Sequence, residues 1–374
     1  MKSKSIIIIH YAPLEFYPPI QNLLHDLEKN NSIPKVLVFT THSASEILNP
    51  FTSNTPTIKV IRLGRSDARD FPIIRYWNYL IFYSISLLLL MVYRPDKVLY
   101  YETISSWPVY LYKRFFRTDS EVLIHYHEYT TPEEYRRGMK LTRYFHQLEM
   151  WLYSRSIWIS HTNEFRMSLF KNDVLPIDCK NSYILPNYPS RDWALSRKKD
   201  LNQPLKVVYV GSFSVTTMYT KEFATWVSMQ NGTIVWDIFS YNFTQDAKDY
   251  IHNLKSKWVN MKDGVNYDHL PEILRQYDVG VILYNGHIPN YIYNAPNKLF
   301  EYLACGLDVW FPKIMTGSME YVREQGFPKV LALDFSDLSS FNPSTALNKI
   351  GGSNTYSFFC EEALRPLLYK LITR

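Results

Sequence analysis

Two stretches of the chain combine residue types and spacings that can do chemistry. In residues 277–311 (YDVGVILYNGHIPNYIYNAPNKLFEYLACGLDVWF), the run 279–283 reads as a buried strand and 286–293 as a polar loop. Asn294 is placed to cap a helix that opens near Pro296. Leu299, Phe300, Tyr302 and Leu303 supply the apolar face of that helix, and Gly306 falls where a C-terminal cap is expected. A strand-loop-helix unit of this kind turns backbone N–H groups and the positive end of a helix dipole toward the carboxyl edge of a sheet, a ready seat for a diphosphate. Lys298 adds a charge there, and Glu301, nearly a turn further, can accept hydrogen bonds from ribose hydroxyls. The second stretch is His125-Tyr126-His127-Glu128 at the end of the apolar run 122–125. Ligands of α/β folds collect outside the carboxyl ends of strands. His127 and Glu128 are therefore candidates, against the plainer reading of a satisfied strand-end pair.

These residues need a scaffold, and the apolar pattern supplies one. Short runs at 6–9, 36–39, 98–100, 122–125 and 157–160 are each followed by a helical stretch, the pattern of a parallel sheet covered on both faces. A polar break at 181–203 carries Pro186, Asn187 and Pro189, with Pro204 beyond it. It reads as a linker, with Asn187 as a hinge cap. A second series follows at 206–210, 233–239, 265–267, 279–284, 309–311 and 330–333. The expected organisation is an α/β domain over 1–190, a linker over 191–204 and a second α/β domain over 205–354. The apolar stretch 79–93, too short to span a bilayer, reads as a buried amphipathic or core helix.

Composition narrows the chemistry. A chain of 374 residues, 46% hydrophobic and 20% charged, has material for two cores. Before residue 200 the only glycines are Gly64 and Gly138, which excludes a G-x-G-x-x-G dinucleotide turn or a P-loop in the first domain. There is no G-x-S-x-G elbow and no D-x-D triplet to hold a metal against a diphosphate. Cys179, Cys305 and Cys360 are too few and too scattered for a disulfide framework or zinc site, which suits a reducing, cytoplasmic setting. The run 6–9 is too short for a signal peptide and reads as the first strand. Of the net charge of +6, +5 falls on residues 1–190, where 22 basic residues face 17 acidic ones. The charge is scattered, and a nucleic-acid partner is not expected. The cluster Arg136, Arg137, Lys140 and Arg143, read as part of one helix running on through Trp151, is by default a solvated face. Its functional reading is docking to an anionic bilayer.

The segment Asn294, Pro296, Lys298, Glu301, Tyr302, Ala304, Gly306 and Val309 resembles the donor-closing pattern (N/S)-x-P-x-K-x-x-E-Y-x-A-x-G-x-P-V of a large retaining glycosyltransferase family of GT-B fold. That family, glycosyltransferase family 4-like, includes many bacterial capsule, exopolysaccharide and lipopolysaccharide enzymes. Asp308 replaces the proline of the pattern, and Tyr293 stands where the family often has the first of two glutamates separated by seven residues, with Glu301 as the second. His125-Tyr126-His127-Glu128 is similar to the family's D-x-H-E, with His125 for Asp. Residues 184–189 (ILPNYP) resemble its V-I-P-N-x-P, and residues 208–212 (VYVGS) its Y-V-G-S, with Lys221 near a phosphate-binding lysine.

The resemblance implies GT-B architecture, two Rossmann-like parallel-sheet domains facing a central cleft, with a last helix at about 355–374 crossing back onto the first. It implies transfer of a sugar from a nucleoside-diphosphate sugar to a glycan or lipid-linked acceptor at the inner face of the cell membrane, with no metal and no separate cofactor. His127 and Glu128 would serve the reacting sugar. Gly211, Lys221, Tyr293, Asn294, Ala295, Pro296, Asn297, Lys298 and Glu301 would line the donor, with Lys298 and the helix end stabilising the departing diphosphate. A sugar-nucleotide epimerase and a catalytically decayed binding protein fit the same architecture. An oxidoreductase is disfavoured by the missing glycine-rich turn.

Overall fold

The computed structural model describes residues 5–29, 34–43, 50–67, 70–138, 140–174, 180–194, 204–343 and 355–373. The chain divides into two compact units, one of residues 1–186 with 360–374 and the other of residues 187–359. Cys179 and most of the expected linker, residues 195–203, lie outside the described residues.

In the first unit the strands β1 (Ser5–His10), β2 (Lys35–Ser43), β3 (Ile58–Ser66), β4 (Lys97–Tyr101), β5 (Glu121–Tyr126), β6 (Trp158–His161) and β7 (Ser182–Ile184) form one sheet in the order β3-β2-β1-β4-β5-β6-β7. Every pairing is parallel. The helices that cover it are α1 (Pro18–Glu28), α2 (Pro72–Tyr93), α3 (Ser106–Leu111), α4 (Pro132–Arg137), α5 (Lys140–Tyr153) and α6 (Glu164–Asp173). Central strands such as IIII and VLVF are apolar throughout because helices take both faces. Ile7, Leu37, Val98 and Ile124 pack with Phe82, Tyr83 and Leu90 of α2 in one core.

The second unit repeats the plan with β8 (Leu205–Val210), α7 (Thr220–Met229), β9 (Ile234–Ser240), α8 (Gln245–Leu254), β10 (Val259–Asp263), α9 (Leu270–Leu274), β11 (Val279–Val281), α10 (Pro289–Ile292), α11 (Asn297–Ala304), β12 (Asp308–Pro312) and β13 (Val330–Leu333). The sheet order is β10-β9-β8-β11-β12-β13, again parallel. Alternate strand residues feed two cores: Val207, Tyr209 and Val281 meet Phe223 and Val227 of α7, while Val208, Ile282 and Val309 meet Leu299, Phe300 and Tyr302 of α11. The last helix, α12 (Cys360–Ile372), packs on α1 in the first unit. The ammonium of Lys97, on β4, donates to the carbonyls of Lys370 and Thr373 beyond it.

Four expectations are corrected. Residues 265–267 are not a strand: β10 is 259–263, an edge strand whose exposed polar residues hide the pattern, and Tyr267 opens a 3₁₀ turn. The edge strands β3 and β7 carry too little apolar sequence to stand out, and they were not expected. The basic helix is two helices: Thr131 and Glu134 form a capping box that starts α4, and the backbone leaves the helix at Gly138. Stretch 79–93 belongs to a 22-residue helix, α2, that is buried on one face only. It is the one helix among the described residues long and apolar enough to cross a membrane.

In both sheets the first strand lies between the second and the fourth, so the connections leave in opposite directions and a crevice opens at their carboxyl ends. In the second unit this geometry depends on Gly280 of β11. A Cβ there would lie 2.0 Å from Cδ2 and 2.2 Å from Cγ of the Tyr302 ring on α11. Gly280→Ala should destabilise the protein by about 1–3 kcal/mol, the cost of overpacking a filled core. Urea denaturation measures it, and an unchanged midpoint would show that the ring can give way.

Candidate functional sites at the carboxyl edges of the two sheets

At the carboxyl end of β8 the backbone turns through Gly211 at φ +130°, a conformation that strains any residue with a side chain. A Cβ there would lie 2.8 Å from Nζ of Lys298. Lys298 comes from the first turn of α11, whose N-terminus follows the loop leaving β11. Tyr302, one turn on, lies over Gly280, and its hydroxyl accepts the Val210 N–H at 3.0 Å. This anchors α11 against the end of β8. The Lys298 ammonium lies 5.0 Å from the Tyr209 ring centre and 5.3 Å from that of Tyr284, and donates to the Tyr284 hydroxyl at 3.2 Å. Burial works against its charge, but the oxygens of Tyr209, Tyr284 and Tyr302 outweigh this and hold it above the usual lysine range. The loops after β8 and β11 are laced together: Asn285 donates to the carbonyls of Thr216 and Thr217, and Tyr284 stacks on Tyr291 at 4.4 Å.

Glu301 is 8% exposed on the same helix. Burial pushes its carboxyl up to about 7, against the opposing pull of Lys298 and a hydrogen bond from Tyr267. It therefore titrates near neutrality. Asn294 does not cap α11. Pro296 is at the cap position, with no side-chain bond, and the Asn294 carbonyl instead accepts from Ser318 Oγ at 2.7 Å. Gly317 lies so close to the 293–294 backbone that a Cβ would meet the Tyr293 carbonyl at 2.3 Å. Ala295 and Pro296 are buried, so only their backbone can face a ligand, while Tyr293 and Asn297 are half-buried. Gly306 terminates the helix at φ +76°. Lys221 is exposed at the start of α7, with its ammonium over the Tyr250 ring of α8 at 5.7 Å.

The first unit's edge is built from buried aromatic and imidazole rings. His127 is 6% exposed, stacks on Tyr101 at 5.1 Å, and has Tyr17 at 5.5 Å, His125 at 4.7 Å and His10 at 6.3 Å. Its carbonyl accepts from the buried Arg166 guanidinium at 2.6 Å. His10 is pushed down to about 3 by burial and by His127, despite a hydrogen bond to the Ala12 carbonyl. His161 reaches about 3 through burial and Arg166, and burial holds His125 well below the imidazole range. All three are neutral at physiological pH. His125 is hydrogen-bonded through Nδ1 to Ser160 Oγ at 2.8 Å. Glu128 is exposed.

Sequence reasoning missed Glu102, the residue directly after β4. Its backbone is at φ 62°, ψ 150°, which costs a non-glycine residue about 1–3 kcal/mol. The turn is held because the Glu102 N–H donates to the His125 carbonyl at 3.1 Å, and its carboxyl accepts the N–H of His127 at 2.6 Å and of Glu128 at 3.3 Å. The next residue, Thr103, is pinned by the buried Glu149 carboxylate at 2.8 Å. The available signal was a glutamate closing an apolar strand, VLYYE. Among the described residues no group of three or more His, Cys, Asp or Glu could hold a metal ion.

Burial, reinforced by the Glu128 charge and opposed by the two N–H bonds, raises Glu102 to about 8. The folded state therefore prefers the protonated carboxyl. The stability this gives is complete below the unfolded value near 4.5 and is lost as pH rises through about 8. Glu102→Gln keeps the acceptor but not the proton. Between pH 5 and pH 9 the urea midpoint of the wild-type protein should fall further than that of the variant. Parallel curves would contradict the protonated state.

No protein-family model matches the chain, and no curated protein is matched by sequence. Solved structures do match over nearly its full length. The sucrose-phosphate synthase of Thermosynechococcus elongatus superposes with a TM-score of 0.68 at 12% identity, covering 99% of this chain and 95% of that one. Anabaena HepE, solved with UDP and glucose, gives 0.66 at 10% identity over 98% and 99%. The lipopolysaccharide outer core galactosyltransferase WaaB gives 0.62 at 12% identity over 98% and 99%. At such identities the likeness carries the fold, and the fold is GT-B: two α/β units, each with a parallel sheet.

Proposed function

We propose that the protein is a glycosyltransferase that moves a sugar from a nucleoside-diphosphate sugar to a glycan or lipid-linked acceptor, with retention of configuration, in bacterial surface polysaccharide synthesis. The observation that carries this reading is the Lys298 ammonium, boxed by tyrosines and set against Gly211 at the crevice between β8 and β11. A diphosphate at that edge meets the α11 N-terminus and one fixed cation, so the charge that builds on the leaving group is stabilised without a metal. Glu301 takes the ribose hydroxyls. Tyr293 and Asn294 present the loop backbone, and His127 supplies a polar group for the reacting sugar, with Glu128 beside it. The phosphate itself accepts the acceptor's proton. The fold shared with HepE, solved with UDP and glucose, and with WaaB, named a galactosyltransferase, supports the same reading.

The direct test is incubation with a panel of sugar nucleotides in excess chelator, following nucleoside diphosphate release with and without a lipid-linked acceptor. Acceptor-dependent release is expected. Free sugar or an isomerised nucleotide formed without acceptor would mark an epimerase, and tight binding without turnover a decayed site.

The raised carboxyl of Glu301 adds a pH signature. Ribose hydroxyls donate best to the carboxylate, which dominates only above about pH 7. Affinity for a nucleoside diphosphate should therefore rise between pH 6 and pH 8. Glu301→Ala should bind roughly ten- to a hundredfold more weakly at pH 8, the loss of hydrogen bonds to a charged group, and lack the rise. Calorimetry giving the same affinity and slope for both proteins would remove Glu301 from the ribose.

A further inference from the structure

Helix α2 breaks the rule that a surface helix turns its polar side to water. Tyr79, Phe82, Tyr83, Ser86 and Leu90 face the core of the first unit. The opposite side is as apolar: Ile73 is 68% exposed, Trp77 60%, Leu80 54%, Leu88 53% and Val92 65%. These positions recur at helical spacing and form one stripe along the helix, about 33 Å long at 1.5 Å per residue. The segment 76–93 holds no charged residue. The π turn Tyr112–Phe116, which packs on α2, exposes Phe115 and Phe116 as well. A contiguous apolar surface of this extent marks an interaction site.

We propose that this face docks the protein onto an anionic lipid bilayer, with α2 lying in the interface plane. Three observations select that occupant. The C-terminal end of the stripe is cationic, with the exposed Arg94 at the C-cap and the exposed Lys35 ammonium over the ring of Tyr93 at 5.5 Å. Asp96, two residues beyond Arg94, is paired with Arg117. Aromatic rings stand at both ends, Phe71, Tyr76 and Trp77 at one and Tyr93 at the other, where amphipathic rings settle at the headgroup level. Parallel pairing of the stripe with a second copy brings Arg94 against Arg94, with no acid on the helix to relieve it. The buried face excludes a spanning role, because Phe82, Tyr83 and Leu90 are part of the core and the Tyr83 hydroxyl donates to the Ile104 carbonyl at 2.9 Å. A helix held in this way enters the headgroup boundary by about 5–10 Å. The proposal stands apart from the sugar-transfer reading, since it involves neither donor nor acceptor.

Co-sedimentation with phosphatidylcholine vesicles, with and without phosphatidylglycerol, tests it on the full chain. The wild-type protein should partition onto the anionic vesicles at least about tenfold more strongly than onto neutral ones, and high salt should erase the difference. The triple variant Trp77→Ser, Leu80→Ser, Leu88→Ser changes only exposed side chains and should lose at least about tenfold in partitioning, with an unchanged far-ultraviolet circular dichroism spectrum. Should that variant misfold, Lys35→Glu with Arg94→Glu gives the independent test: binding to anionic vesicles falls while binding to neutral ones does not. Wild-type partitioning by either variant overturns the proposal. So does a lipid-free dimer in analytical ultracentrifugation that the triple variant disperses.

Discussion

The ring of Tyr302 occupies the space that any side chain at position 280 would need, and its hydroxyl takes the last amide of β8. That double engagement fixes α11 to two adjacent strands at once. The rest of the second unit's edge follows from it. Lys298, one turn before Tyr302, is brought against Gly211, and the left-handed glycine is the residue that leaves room for its ammonium. Tyr209 and Tyr284, from the ends of the two strands that flank the crevice, close around the cation. A lysine so enclosed has little rotamer freedom left to lose, so an anion entering the crevice meets a charge already in position.

The first unit solves the same topological problem with different chemistry. At its carboxyl edge His10, His125 and His161 are neutral because burial penalises their charged forms. The polar centre is a carboxyl that burial also keeps largely protonated, Glu102, stretched across the first amides after β5. One edge thus presents a fixed positive charge, and the other buried neutral imidazoles and a largely protonated carboxyl beside the exposed Glu128.

The strand-loop-helix arrangement of the second unit was legible because it is local. Strand, loop, helix start and glycine stop lie within some thirty residues, and Lys298 and Glu301 are fixed by helical spacing alone. Central strands were legible because burial on both faces makes them continuously apolar, whereas β3, β7 and β10 are edge strands whose polar residues dilute the signal. Glu102 was not legible, since its importance lies in a backbone conformation and in partners some 25 residues away. The exposed face of α2 was hidden because composition reports apolarity and not which side the sheet covers.

The central claim is that the Lys298 cation, held by its tyrosines at the end of β8, exists to meet a diphosphate. Calorimetric titration of the wild-type protein and Lys298→Met with a nucleoside and with its diphosphate isolates that contact. Methionine fills the tyrosine box without charge, so the account predicts nearly equal nucleoside affinity for the two proteins and a loss of roughly tenfold or more, at least about 1.4 kcal/mol, confined to the diphosphate. Equal loss for both ligands, or no loss for either, would contradict it.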